Sequence, residues 1–477
     1  MLVAGIAWML FAVARLLLAP FAIAEEIRDR VRRSTTPPPT LSVSVVVPAY
    51  NEGVVLDGCV RSIIAHAPAG LEVVLVDDGS TDGTFSRMRA LAGEYAGVIA
   101  MTQENAGKAA ALNAGIARTS GSIVLLVDAD GVFTAQTFTE LLRPFADPTV
   151  AAVCGDDRPV NLDRVQTRFL AVIGHVGTGL MRRAQSFFGV LPVVSGNAGA
   201  FRRAILDAVG PLRAGCIGED LELTWRIHRA HGRVVFAPRA VVYAESPSTL
   251  RGLWRQRVRW GRGLLQTVRV HADLIGRPRY GLFGLSLAPL LVASVVLPVV
   301  QVAALPLLAI TLMTGAVGVD ADIWGALLWL GLPVSAALVL LAVCLNDAWA
   351  DLRHAYALPL WPAYSMMMSA VMVAAIAGEA RGRPAAWNKL VRTGVRSPER
   401  RRLGHGQRHR DQGREHEGPP PDVLRHHRRA LRPRGGRRLQ QGQARLLARR
   451  RRGQGVRPRQ GHHRQAQRPA LPALGSW

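Results

Sequence analysis

The chain has 477 residues, 49% of them hydrophobic, and a formal charge of +25. That length admits one sizeable soluble domain together with a membrane part. The charge is lopsided: from Arg396 onward 23 Arg, no Lys and 5 acids carry +18, leaving +7 for residues 1–395, so the basic balance says little about what the rest binds. Four cysteines (Cys59, Cys154, Cys216, Cys344) lie far apart with no Cys-x-x-Cys pair, which gives no support to a disulfide or zinc framework and suits a reducing cytosol.

In chain order, Leu2 to Ala24 is apolar apart from Arg15 and long enough to span a bilayer, about 20 residues. It lacks a basic start and is followed by Glu25-Glu26, so a membrane anchor is expected rather than a signal peptide. Residues 25–40, ending in Thr35-Thr36-Pro37-Pro38-Pro39-Thr40, are expected to be a linker, because consecutive prolines join neither a helix nor a central strand. From residue 41 to 270 apolar runs alternate with helix-like stretches. Predicted strands at Ser44–Val47, Glu72–Val76, Val98–Met101 and Ile123–Val127 precede predicted helices at Val54–Ala65, Thr81–Ala92, Gly107–Arg118 and Ala135–Phe145. Alternation of this kind argues an α/β domain with a mostly parallel sheet covered by helices on both faces.

Short polar motifs punctuate that pattern. Tyr50, Asn51 and Glu52 end the first strand, and Asp77-Asp78-Gly79 ends the second. In open α/β sheets ligands gather at the carboxyl ends of strands. Asp78 and Tyr50 are the types that accept from a uracil N3–H and lie against its ring, although an ordinary Asp-Gly turn uses the same residues. Lys108 opens a helix after Asn105-Ala106-Gly107, where an ammonium and free backbone N–H groups suit a diphosphate. Asp128-Ala129-Asp130 follows an apolar strand whose alternation puts both carboxylates on one side. Two hard oxygen donors there suit Mg²⁺ or Mn²⁺. Glu219 and Asp220 start a helical stretch over Leu221–Ala230, and Asp220 is either a helix cap or a general base taking a proton from an attacking hydroxyl. Gln256, Arg259 and Trp260, at i, i+3 and i+4, share one helix face. An indole there offers a sugar an apolar platform, and the same face also suits an interfacial anchor.

Beyond residue 271 the chain turns apolar. Leu285–Thr314, Ile323–Leu345 and Leu358–Ala377 are expected as membrane helices, with Asn346–Asp351 as a polar connection, up to about residue 395. Three crossings after an inward-running anchor leave the C-terminus outside, whereas Arg381, Arg383, Lys389 and Arg392 favour the cytoplasmic side. Either one segment is re-entrant or the 30-residue first one crosses twice. Residues 396–477, dominated by Arg, Gly, Gln, His and Pro, are expected to be a disordered tail without specific function, a composition that a shifted reading frame in GC-rich coding sequence also produces. Its charge binds polyanions nonspecifically, with no specific nucleic-acid partner expected.

The order Asp77-Asp78-Gly79, Asp128-Ala129-Asp130, Gly218-Glu219-Asp220 and Gln256-Arg257-Val258-Arg259-Trp260 between apolar regions resembles the signature of the membrane-embedded family 2 processive glycosyltransferases. The resemblance covers residues 43 to 394. With Ser195–Arg202 and Glu245–Trp254 it is most like that of bacterial poly-β-1,6-N-acetylglucosamine synthases. It implies a cytoplasm-facing GT-A domain fused to helices of the inner (plasma) membrane, multi-pass, that builds a β-linked polymer from a UDP-sugar with inversion. The resemblance assigns the uridine to Tyr50, Glu52 and Asp78, and puts Lys108 near the diphosphate. It gives Asp128 and Glu219 to the substrates as well, and Gln256, Arg259 and Trp260 to the cap over the active site, Trp260 contacting the acceptor end. The implied partners are the UDP-sugar, UDP-N-acetylglucosamine foremost, the growing polysaccharide and the lipid bilayer, with room for a small accessory membrane subunit. The family usually has Thr-Glu-Asp where this chain has Gly218-Glu219-Asp220. Rival readings are a chitin, hyaluronan or cellulose synthase, and a single-addition transferase acting on a lipid acceptor.

Overall fold

The computed structural model describes residues 2–314, 321–382 and Gly394. The tail from residue 396, and Arg383, Lys389 and Arg392, lie outside the described residues. Helix α1 (Leu2–Thr35) leads into β1 (Val43–Ala49), α2 (Leu56–Ala65), β2 (Glu72–Asp77), α3 (Thr84–Glu94), β3 (Val98–Thr102), α4 (Lys108–Arg118), β4 (Ile123–Leu126), β5 (Val132–Phe133) and α5 (Thr137–Leu142). Next come β6 (Val150–Pro159), α6 (Val165–His175), α7 (Arg182–Phe187), β7 (Gly199–Arg202), α8 (Arg203–Val209), α9 (Glu219–Arg229), β8 (Arg233–Ala244) and α10 (Leu250–Val270). The apolar part holds α11 (Gly281–Leu291), α12 (Leu297–Thr314), α13 (Ala321–Leu345) and α14 (Trp361–Ala380).

The strands form one sheet in the order β3-β2-β1-β4-β7-β6-β8-β5. β1 runs parallel to β2 and β4, and β2 parallel to β3, as the alternating pattern predicts. Successive residues of a strand face opposite sides. Val45, Val47, Leu75, Ile123 and Leu125 therefore bury against α2, α3 and α5. Val46, Val74, Val76, Val124 and Leu126 bury against α4 and α9. Burying each such side chain stabilises the fold by about 1.5–3 kcal/mol, which keeps the strand ends in place.

β7 departs from the parallel expectation, pairing antiparallel to both β4 and β6. Four residues are too short a run to show an alternation in sequence. β6 and β8 also escaped sequence reading. Asp156, Asp157 and Arg158 occupy the second half of β6, and Pro238 interrupts β8 where the register shifts between Cys154 and Asp156.

The expected linker at 25–40 is mostly helix, since α1 runs unbroken to Thr35 and only the proline segment is extended. Glu25, Glu26 and Asp29 are buried. Glu26 lies 3.0 Å from Arg183 and 2.8 Å from Arg239, while Asp29 lies 3.3 Å from Arg239. These charges hold the end of α1 on the α/β domain. α6 continues through a π-helical turn at Val176–Met181 into α7, and their apolar face packs on Ala19, Ala22 and α13. Asn346, in the expected polar connection, is buried and accepts from Arg183 Nη1 at 2.6 Å. The segment from α11 to α12 is one unbroken rod through a π-turn at Val292–Val296, so it does not double back. Two described helical stretches, Pro278–Pro306 and Trp349–Ala380, are long and apolar enough to cross a membrane.

Candidate active site

Tyr50, Glu52, Asp78, Asp128 and Asp130 follow β1, β2 and β4 at their carboxyl edge, where Lys108 reaches Asp128 and Glu219. Beyond β1, Asn51 takes a left-handed backbone (φ 52°), which Asn tolerates better than most residues. Its Oδ1 accepts from Thr81 N at 2.7 Å, and its N–H donates to Ser80 Oγ at 2.8 Å, tying the β1 and β2 loops together. Half-buried Tyr50 and buried Glu52 flank it, the Glu52 N–H donating to Thr84 Oγ1 at 2.9 Å.

Asp78 sits differently from the uracil-facing carboxylate expected. It is fully buried. Its Oδ1 accepts from Gln103 Nε2 at 2.8 Å and Ala106 N at 3.0 Å, and Oδ2 accepts from Gly107 N at 2.9 Å. Both oxygens are thus engaged in folding the loop that feeds α4. Asp-Gly after a strand is a poor predictor here because the partners, some 25 residues on, are set by the β3–α4 connection.

Lys108, the first residue of α4, is the centre of the site. Its Nζ lies 2.7 Å from Asp128 Oδ1 and 2.8 Å from Glu219 Oε1, joining the end of β4 to the start of α9. Burial alone disfavours the ammonium, but Asp128, Glu219 and Asp220 outweigh it and hold the Lys108 pKa well above the usual lysine value. Burial, reinforced by Glu219 and opposed by Lys108, pushes the Asp220 carboxyl up to about 6. Its Oδ1 accepts from Leu221 N at 2.8 Å. An acid tuned near neutrality, beside a fixed cation, is suited to exchanging a proton. A small cavity lies here, with Lys108, Glu219 and Asp220 on its polar wall and Leu112, Val194 and Leu223 among its apolar lining.

Ser195-Gly196-Asn197, part of the Ser195–Arg202 run, is not among the expected site residues. Because β7 is antiparallel and Gly199 pairs with Leu126, this loop emerges beside the end of β4. Gly196 O accepts from Asp128 N at 3.1 Å. A glycine-rich run before a short apolar strand is the signal that marks it.

Asp128 and Asp130 lie in a turn beyond β4, Gly131 N donating to Asp128 O at 2.9 Å, rather than on the strand itself. Their partners differ. Asp128 reaches Lys108, whereas Asp130 is buried and its Oδ2 accepts from Glu245 N at 3.1 Å. They share one neighbourhood all the same: burial, then the charges of Asp130, Asp128 and Glu52, push the Cys59 thiol up. Among the described residues no group of three or more His, Cys, Asp or Glu is arranged to hold a metal. The donors that are present, two carboxylates beside an ammonium, fit a hard divalent cation that takes its other ligands from phosphate and water.

α10 carries the last motif and touches the segment ahead of Asp220 through Gly263 and Gly218. Gln256, Arg259 and Trp260 fall within one helix, as their spacing predicts. Trp260 is half exposed, and the Arg257 guanidinium lies 4.2 Å from its ring centroid. Gly218, in the position of the expected Thr, has a physical reason. A Cβ on Gly263 of α10 would stand 3.0 Å from Gly218 N and Cα, so two glycines let α10 touch the backbone just ahead of Asp220.

Residues 38–263 match the family model described as "Glycosyltransferase like family 2". Over 226 residues the chain is 30% identical to the poly-beta-1,6-N-acetyl-D-glucosamine synthases of Staphylococcus aureus (strain COL) and Staphylococcus epidermidis, covering 46% of this chain and 54% of each relative. The chain therefore spans about half the length of the curated relatives it matches. Among solved structures, the mannosyltransferase PcManGT from Pyrobaculum calidifontis, in complex with GDP-Man and Mn²⁺, aligns with a TM-score of 0.53 at 23% identity over 78% of this chain and 98% of that one. That likeness concerns the fold, and the family match spans the strands and helices that bear the Lys108 cluster. Residues 38–263 are a family 2 glycosyltransferase domain of the GT-A fold.

Proposed function

We propose that this chain is a membrane-bound, processive, inverting glycosyltransferase that polymerises a UDP-sugar, UDP-N-acetylglucosamine foremost, into a β-linked exopolysaccharide. The observation that carries the reading is the Lys108 bridge between Asp128 and Glu219, which brings the strand-end carboxylate and Asp220 into one cluster. Similarity to poly-beta-1,6-N-acetyl-D-glucosamine synthases supports the sugar, and the two long apolar stretches support the membrane setting.

In this reading Asp220 is the general base. The acceptor hydroxyl oxygen forms a bond to the anomeric carbon as the bond from that carbon to the UDP oxygen breaks. The hydroxyl proton passes to Asp220, UDP leaves, and the configuration inverts in a single displacement. Lys108 and the first-turn N–H groups of α4 meet the diphosphate. Tyr50 and Glu52 line the uridine side, with Asp78 holding the neighbouring loop from beneath. Asp128 and Asp130 would hold Mg²⁺ or Mn²⁺, whose positive charge offsets that of the departing UDP. Trp260 supports the acceptor sugar, with Gln256 and Arg259 along the same face. The bilayer surrounds the apolar helices, and the growing polymer is the acceptor.

The test is product analysis with the purified membrane protein given UDP-GlcNAc, UDP-Glc or UDP-GlcA separately. A polymer from UDP-GlcNAc alone supports the full reading. A single added sugar turns it to a non-processive transferase, and transfer from none of the three overturns it.

A further inference from the structure

Asp220 is the second residue of α9, so its position depends on the segment that leads into that helix. Ile217 and Gly218 enter beneath α10, where Gly218 meets Gly263. Three residues along α10, Gln266 makes two hydrogen bonds of opposite sense. Its Oε1 accepts from Ile217 N at 3.0 Å, and its Nε2 donates to Glu379 Oε1 at 3.1 Å. Arg262, one turn earlier on the same face, donates from Nε to the same Glu379 oxygen at 2.6 Å. Glu379 stands in the last turn of α14, within one of the two stretches long enough to cross a membrane. A continuous chain of hydrogen bonds thus links the end of an apolar helix to the peptide three residues ahead of Asp220.

The side-chain chemistry is selective. A carboxamide both accepts and donates, so Gln can serve the Ile217 N–H and the Glu379 carboxylate together. A Glu at 266 would keep the first bond but face Glu379 with like charge. A Leu would keep neither. Gly261, on the adjoining part of α10, faces Ala375 of α14 (3.0 Å to a Cβ built on it), so α10 is gripped from both sides.

We propose that Gln266 is a positioning residue for Asp220, and that through Glu379 and Arg262 the placement of α14 enters the geometry of the active site. The inference rests on Asp220 acting as the base. Gln266 needs no contact with substrate, since it acts through the Ile217 peptide. Tyr50 and Glu52, which line the uridine side in this reading, and Lys108 lie on other elements, so the effect is expected on the chemical step and not on donor affinity. Displacement of a reacting group by about 1 Å can cost about 10²-fold in rate.

The experiment uses the full chain in detergent or nanodiscs and measures kcat, KM for the UDP-sugar, UDP affinity and thermal unfolding. The variants are Gln266→Leu, Gln266→Glu, Glu379→Gln, the double variant Gln266→Glu/Glu379→Gln, and Asp220→Asn. Both Gln266 variants are expected to lower kcat about 10–100-fold with KM, UDP affinity and unfolding temperature unchanged. The double variant exchanges the roles of the two side chains and is expected to recover most of the loss. A Gln266→Leu enzyme with kcat within about twofold of the parent overturns the proposal, as does a double variant no better than Gln266→Glu. Should Gln266→Leu unfold, the exchanged pair still decides. Full turnover by Asp220→Asn would remove the base itself. An inactive Asp220→Asn beside normal Gln266 variants would remove only the positioning role.

Discussion

Asp220 and Lys108 show how one site carries a base and a cation without cancelling either. Burial and Glu219 favour the neutral Asp220 acid, and Lys108 opposes them, leaving its pKa near 6. A base works only when ionised, so kcat/KM should rise with pH through about 6 and level off above it, which a pH–rate profile of the free enzyme reports. Asp220→Asn keeps the shape and loses the base. Transfer should fall about 10²–10⁴-fold while UDP binding, measured by calorimetry, persists. Lys108→Met removes the charge that holds Asp220 down. Besides weakening donor binding, it should move the acid limb to higher pH, the sign following from Lys108 being the favourable charge among Asp128, Glu219 and Asp220. An unmoved limb would mean that Lys108 does not act on Asp220.

At the scale of elements, a backbone contact at Gly218 and Gly263 helps to set α9 against α10, beside the side chains of Gln266, Leu264 and Val268. Gly218 and Gly263 leave little room for a Cβ, and backbone cannot rotate aside as a flexible side chain does. Gly263→Ala gives α10 a better helix former, worth about 0.8–1 kcal/mol on propensity alone. It also puts a methyl about 3.0 Å from Gly218 N and Cα, so the two elements must part by some tenths of an ångström. The expected result is a protein whose unfolding temperature changes little and whose turnover falls about tenfold or more, because Asp220 and Trp260 lose their relative setting. Wild-type turnover by Gly263→Ala would show that this contact serves packing alone. β7 acts at the same scale. Its antiparallel course is what brings Ser195-Gly196-Asn197 beside Asp128.

Across the whole molecule, charges buried at the seam between α1 and the α/β domain do the joining. Arg183 is 1% exposed at its side chain, donating to Glu26 at 3.0 Å, to Asn346 Oδ1 at 2.6 Å and to Leu345 O at 2.7 Å. One guanidinium therefore holds α1, α7 and the end of α13 together. Arg183→Met keeps much of the volume but strips buried Glu26 of a partner. Removing one member of a buried pair typically costs about 3–5 kcal/mol, so thermal unfolding of the detergent-solubilised protein should show a marked loss. A small change would mean that Arg239, 2.8 Å from Glu26 on its other side, suffices.

The strands β1 to β4 and their helices were legible because an apolar run and its period belong to the local chain. Val45, Val46 and Val47 bury on both faces wherever the sheet is built. The acidic motifs were legible for a related reason, since a carboxylate directly after a buried strand must emerge at its carboxyl end. Tertiary structure alone decided the partners. Lys108 and Glu219 are more than a hundred residues apart, and nothing local joins them until α4 and α9 pack on the same face of the sheet. Asp78 suits a uracil N3–H or a turn by its type alone, and only the partners that arrive from another connection, Gln103, Ala106 and Gly107, show where its oxygens go. Glu25 and Glu26 fall in the expected linker because Pro37-Pro38-Pro39 mark its end, whereas their partners Ser186, Arg183 and Arg239 come from elements far along the chain. Local composition determined which residues were chemically capable, and packing decided which of them meet, because contacts between distant segments depend on how the elements fit and not on the order in which they are written.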